Sequence, residues 1–254
     1  VSNILIGTSG WTYPGWKGKF YPRDLPGRAF LEYYARQFPT AEVNYSFYHL
    51  PRVETYEKWA AQVTEGFVFA VKASRFITHI KRLKEVDDAW RLFVENARAL
   101  AEHWGPILLQ FPPSLKCDAE LLANFLKMAL KGEKRTKKGR LRLAFEFRHE
   151  TWFTDEIYEL MKHDNAALCI ADSPDYPRRD LVTADFAYFR YHGREQLFAS
   201  NYSDAELKKE ARLISEIADQ GTDVYAYFNN DALGYATSNA LHLMKCCQKM
   251  RPPA

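Results

Sequence analysis

Short apolar and β-branched runs recur along the chain, separated by longer stretches whose apolar residues repeat at helical spacing. The runs Ile4–Gly10, Ala41–Phe47, Phe67–Ala73, Pro106–Phe111, Leu141–Arg148, Ala166–Asp172, Phe186–Gly193 and Val224–Asn230 predict eight strands. Phe30–Gln37, Val53–Gln62, Ala89–Trp104, Ala119–Leu130, Asp155–Lys162, Asp204–Ala218 and Ala236–Met250 predict helices, and a short helical piece is expected within Pro174–Thr183. Strand and helix alternate throughout, which is the pattern of parallel βαβ units, and eight such units close into a barrel without an exposed edge. The expected fold is an α/β protein, a TIM-type (β/α)8 barrel. Irregularity is expected around the sixth helix, where Ser-Pro-Asp-Tyr-Pro-Arg-Arg-Asp leaves little room for one.

Local chemistry fixes some boundaries. Ser203 with Glu206 three residues on has the pattern of a capping box, so a helix should start at Asp204 and turn Leu207, Ala211, Ile214 and Ile217 toward the barrel. No linker or low-complexity tract interrupts the 254 residues, a length typical of one such barrel, and a single domain over residues 1–254 is expected.

Composition narrows the function classes. Hydrophobic residues make up 47% and charged residues 26%, no apolar run approaches a membrane span, and the opening residues lack a signal-peptide pattern, so no membrane partner and a cytoplasmic location are expected. The net charge of +3 is too mild to demand nucleic acid. The basic run Lys131–Arg142 follows a helix and precedes a strand, which places it on the N-terminal face as a solvated loop. Cys117, Cys169 and the adjacent Cys246 and Cys247 form no CxxC pair and read as free or buried thiols.

The candidate chemistry lies at the C-terminal ends of the strands, where active sites of this fold are built. Those ends carry Trp11, Glu42, Asn44, Lys72, Gln110, Glu146, Arg148, Asp172, Arg190, His192, Asn229 and Asp231, with Arg75 just beyond the third strand. Alternation puts Glu146 and Arg148 on one strand face, and Arg190 and His192 on one face of another. Glu146, Asp172 and His192 are candidates for proton transfer, the others for holding substrate, with Lys72, Arg148 and Arg190 as anion clamps. Ion pairing of three acids and three bases in a network without chemistry is the competing reading. Lys72 invites a Schiff-base role, but that requires a lysine in a mostly apolar pocket, and an ion-paired lysine is the expectation. Rings at Tyr13, Trp16, Tyr45, Phe47 and Tyr48 could stack on sugars or bases, and equally serve as lid packing. No cofactor is predicted: dinucleotide and P-loop motifs are missing, while His149, His192, Glu146 and Asp172 are residue types that could hold a divalent metal, though without HxH or HExxH spacing.

The segments IGTSGWTYPGWKGKFYP, AEVNYSFYHLP, GFVFAVKASRFITHIKRL, GPILLQFPPS, AFEFRHETWF, ALCIADSP, YFRYHGRE and VYAYFNNDALGYATSNA resemble the YecE-like family, also called domain of unknown function 72, from Ile6 to about Leu241. The resemblance implies a (β/α) barrel and brings no reaction and no catalytic residue with it. Tyr45 departs from the small residue, such as serine, expected there. Two functions stay open: an enzyme acting on an anionic, phosphate-bearing substrate by acid–base chemistry at the rim, and a non-catalytic module using the same rim to hold nucleic acid or protein.

Overall fold

The computed structural model describes residues 2–132 and 141–251. Its strands are β1 (Ile4–Ser9), β2 (Thr40–Val43), β3 (Val68–Lys72), β4 (Trp104–Gln110), β5 (Leu143–Glu146), β6 (Ala167–Asp172), β7 (Phe186–Tyr191) and β8 (Asp223–Phe228). All neighbours pair in parallel and in sequence order, and β1 also pairs with β8, so the sheet closes into a barrel. The helices are α1 (Phe30–Ala35), α2 (Tyr45–Tyr48), α3 (Val53–Ala60), α4 (Asp87–Ala97), α5 (Ala119–Ala129), α6 (Asp155–His163), α7 (Asp204–Asp219) and α8 (Ala236–Met250). Most of the basic run, 133–140, lies outside the described residues.

Two apolar cores follow from the two faces of each strand. Outward residues such as Ile6, Phe69, Leu109, Phe145, Phe189 and Phe228 pack beneath the helices. The interior is filled by Ala70, Leu108, Ala144, Ala167, Cys169, Phe186, Tyr188, Tyr225 and Tyr227. Rings from β7 and β8 occupy the space that alanines on β3, β5 and β6 leave open, which keeps the inside packed rather than hollow. Gly7 marks a point of close approach: a Cβ there would stand 2.0 Å from the Thr40 carbonyl oxygen and 2.9 Å from the Tyr34 hydroxyl.

Helix α7 begins as its capping box predicts, Glu206 N–H donating to Ser203 Oγ at 3.3 Å and Ser203 N–H to the Glu206 carboxylate at 2.8 Å. Its predicted inner residues are all buried. The second predicted strand is too long: after Val43 the chain turns into the single turn of α2, where Ser46 Oγ donates to Lys72 O at 2.6 Å. The helix predicted over Ala89–Trp104 stops at Ala97 and continues as a 3-10 turn over Arg98–His103. There Ala101 takes a left-handed φ of 50° and the chain reverses, so that Trp104 already opens β4. The short helical piece expected within Pro174–Thr183 does not form. Residues 173–185 are an open loop stitched to the barrel by Thr183, whose Oγ1 donates to Ala166 O at 2.7 Å and accepts from Leu168 N–H at 2.8 Å.

Candidate functional site at the C-terminal rim

The inward positions at the tops of β1, β2, β5 and β7 converge on Arg190. Its Nε and Nη2 donate to the two carboxylate oxygens of Glu42 at 3.0 and 2.7 Å, and Nη1 donates to Glu146 at 2.6 Å. Glu42 also accepts from Ser9 Oγ and the Tyr188 hydroxyl, both at 2.7 Å. Glu146 accepts from Arg148 Nε at 2.7 Å and has His192 Nε2 at 3.2 Å, while His192 Nδ1 lies 3.1 Å from the Asn229 amide.

Glu42, Glu146 and His192 are fully buried, and Arg190 is 1% exposed. Burial alone would raise both carboxyls, but the guanidinium charges outweigh it: Arg190 holds Glu42 below its usual range, and Arg190, Arg148 and His192 hold Glu146 well below. Burial pushes His192 down, against the pull of Glu146. At neutral pH both carboxylates are therefore charged and committed to guanidinium partners, which makes them weak bases. Part of the ion-paired network expected as the alternative to chemistry is present here, Glu42 and Glu146 with Arg148 and Arg190 but without Lys72 or Asp172, and it occupies one side of the site.

Beside that network opens a cavity of about 720 Å3, within the range of small-molecule sites. Lys72 reaches it from the end of β3. Its Nζ donates to Gln110 Oε1 at 2.8 Å and sits 4.0 Å over the Phe47 ring. The expected ion pair is not made: among the described residues Lys72 has no carboxylate partner, because Glu42 and Glu146 are spent on Arg190 and Arg148. Burial, reinforced by the Arg190 charge, brings its amine down to about 7. His79, 3.4 Å from the Gln110 amide, is lowered to about 4 by burial and by Lys72 and the nearby arginines. Asp231, also in the lining, accepts from Trp16 Nε1 at 2.5 Å, and burial raises its carboxyl to about 6. Arg75, Arg148, Arg190, Asn44, Asn229, Tyr13 and Tyr48 also line the cavity, and Asn44 Oδ1 is buried without a hydrogen-bond partner among the described residues.

Eleven of the expected residues thus meet around the network or cavity: Glu42, Asn44, Lys72, Arg75, Gln110, Glu146, Arg148, Arg190, His192, Asn229 and Asp231. Two do not. Asp172 points outward from β6 into a separate cluster with Arg178, Arg194 and Glu210 of α7, where Arg178 Nη1 donates to it at 2.7 Å. Trp11 is buried edge-on against Trp59, 5.4 Å between centroids, beneath the rim loops. Asp172 is therefore not placed to share proton transfer with Glu146 and His192. A metal set of His149, His192, Glu146 and Asp172 is not assembled either: His149 turns to Thr151, and no group of three or more such side chains that could hold a metal ion occurs among the described residues.

Other members lay outside the expected site. Ser9 and Tyr188 fix Glu42, and Tyr188 could have been found by parity, two residues before Arg190. Phe198, in the loop after β7, had no pattern to reveal it. Tyr45 is exposed beside His49 and Trp59, at the mouth rather than in the cavity. The loop after β3 carries three left-handed non-glycine residues within four positions, Arg82, Leu83 and Glu85, a strained backbone of the kind that binding loops retain.

A closed eight-stranded parallel barrel with a polar cavity at the C-terminal ends of its strands defines an α/β protein of the TIM-barrel class. Within it, the chain belongs to the family described as protein of unknown function DUF72, whose model matches residues 5–253. It is similar to the UPF0759 protein YunF of Bacillus subtilis, with 26% identity over 277 aligned positions covering 95% of this chain and 94% of YunF. Similarity to the UPF0759 protein YecE of Escherichia coli is 34% over 109 residues, 43% of this chain and 38% of YecE. The crystal structure of a DUF72 family protein from Thermotoga maritima superposes with a TM-score of 0.83 at 29% identity, covering 96% of this chain and 98% of that one. A DUF72 family protein from Enterococcus faecalis shares the fold with a TM-score of 0.81 at 22% identity, covering 96% and 95%. No helix among the described residues is long and apolar enough to cross a membrane.

Proposed function

We propose that the protein is an enzyme acting by acid–base chemistry on a small anionic, phosphate-bearing substrate held in the rim cavity. The observation that carries this reading is the contrast between the two sides of the site. On one side Glu42 and Glu146 balance Arg190 and Arg148; on the other, Lys72 and Arg75 line the cavity with no carboxylate paired to either among the described residues. An anion entering the cavity meets the guanidinium of Arg75 and the Lys72 amine, which can take up a proton to pair with it.

Proton transfer then falls to Lys72 and Asp231 rather than to Glu146, Asp172 or His192. An amine near 7 and a carboxyl near 6 can each exchange a proton close to neutral pH, whereas the depressed carboxyls of Glu42 and Glu146 cannot do so efficiently. Arg190 and its carboxylates position the rim, and Arg75 and Arg148 orient the anion.

Titration calorimetry with inorganic phosphate tests the reading. Binding is expected in the wild type, weakened about tenfold or more by Arg75→Ala, since loss of a charge-assisted contact of about 1.4 kcal/mol has that effect. No phosphate binding, together with tight, steeply salt-dependent binding of single-stranded DNA, would transfer the rim to a nucleic-acid-binding module.

A further inference from the structure

Lys72 stands in surroundings built for an uncharged nitrogen. Gln110 Nε2 donates to Phe111 O at 2.9 Å, which fixes the amide so that Oε1 faces Lys72 and takes one N–H. The Phe47 ring covers another side of the amine at 4.0 Å. The charges facing it are Arg190 and Arg148, which oppose an ammonium, and Glu146 and Glu42, whose oxygens are taken up by those guanidiniums. His79, whose Nδ1 is 2.9 Å from Thr78 Oγ1, adds a polar but neutral wall. What remains open around Nζ is the cavity, into which Arg75 and Arg148 also look. The pocket is polar rather than apolar, but an amine that is buried, without a carboxylate partner among the described residues, flanked by guanidinium charge and open toward the cavity has the other arrangement that activates a lysine, a neighbouring cation.

We propose that Lys72 acts as a covalent nucleophile on an anionic aldehyde or ketone, forming an imine through Nζ. This rests on the reading of the cavity as an anion-binding catalytic site. In the step, the ammonium gives one proton to a base in the cavity, and the nitrogen lone pair attacks the carbonyl carbon. The C=O π pair moves to oxygen, which takes that proton back from the base, and the nitrogen gives the base its second proton to leave a neutral carbinolamine. Protonation of that hydroxyl lets it leave as water as the C=N bond forms. The net change is ammonium plus carbonyl to iminium plus one water, with no oxidant or reductant. Asp231, which lines the same cavity, is the group to carry protons to and from the oxygen.

Reductive trapping decides it. The full chain is incubated with glycolaldehyde phosphate and cyanoborohydride near neutral pH, and labelled lysines are mapped by mass spectrometry. Lys72 should acquire the reduced adduct about tenfold or more faster than the solvent-exposed Lys58, because an ordinary lysine holds only a trace of free amine at that pH. Inorganic phosphate should slow labelling of Lys72 and not of Lys58, a control made on the wild type, so that a poorly folded Lys72→Arg variant would not obscure the answer. Phosphate binding with Lys72 labelled no faster than Lys58 overturns the imine and leaves the anion site standing. Rapid labelling of Lys72 that phosphate does not slow, and that uncharged glycolaldehyde reproduces, supports the imine and overturns the anion site. Neither binding nor selective labelling overturns both.

Discussion

Replacing Arg190 with methionine would expose what holds the rim together. The guanidinium is buried and donates twice to Glu42 and once to Glu146. After Arg190→Met, Glu146 retains Arg148, but Glu42 retains only the Ser9 and Tyr188 hydroxyls and becomes a buried carboxylate without a counter-charge. Breaking a buried pair in this way costs about 3–5 kcal/mol. The pH dependence carries a sharper signature. In the wild type, Glu42 is depressed, so its contribution is present above the unfolded carboxyl range and is lost as the pH falls through the folded value. In the variant, burial without Arg190 raises the Glu42 carboxyl above its unfolded value, so the folded state binds the extra proton and stability falls as the pH rises above about 4.5. Urea denaturation followed by tryptophan fluorescence at several pH values between about 4.5 and 7 reads both quantities. Adding Glu42→Gln should recover part of the loss, because the uncompensated charge is removed with it. A loss below about 1 kcal/mol with an unchanged pH slope would refute the account of Arg190 as the counter-charge on which Glu42 depends.

Two further outcomes are expected. The amine of Lys72, faced by Gln110, His79, Phe47, Arg148, Arg190, Glu42 and Glu146, falls from an ordinary 10.5 to about 7, so between these values the unfolded chain binds more protons and stability rises with pH. Comparing urea midpoints of wild type and Lys72→Met across that window should show the rise diminished in the variant; parallel curves would mean that Lys72 is an ordinary lysine. Gly7→Ala should cost about 1–3 kcal/mol or more by calorimetric melting, since the methyl would meet the Thr40 carbonyl at 2.0 Å; an unchanged melting temperature would mean that β1 and β2 can part freely there.

The barrel was legible because parallel strands covered on both sides read as apolar runs and their helices as amphipathic ones. The same property hid the direction of Asp172. Every residue of Ala167–Asp172 is buried, so hydrophobicity carries no parity there, and only counting from Cys169 and Ala171, which face inside, turns Asp172 out toward Arg178 and Arg194. On β7 the large polar residues Arg190 and His192 make parity plain, and the two side chains meet on one face as alternation predicts. For β2 the rings of Tyr45 and Phe47 suit a strand and carry the prediction past Val43 and Asn44, whereas the turn into α2 is held by Ser46 bonding a carbonyl of β3, a contact between residues far apart in the sequence. The protonation of Lys72 was likewise a matter of who pairs with whom: three acids and three bases in the sequence suggested a balance, and in the barrel Asp172 leaves the group while Arg190 takes two carboxylates for itself.

The pairing of β1 with β8 has a consequence for how the protein is made. Glu42 is synthesised 148 residues before the arginine that neutralises it, and β1 waits for Val224–Phe228 before its second edge is covered. During translation the emerging segments can form helices and local βαβ units, but the ring cannot shut, and the acid destined for its centre has no counter-ion until the seventh strand has left the ribosome. Ring closure and site assembly are therefore late and coupled events. A nascent chain arrested before β8 should expose two open strand edges, at β1 and at β7, to chaperones or to other nascent chains.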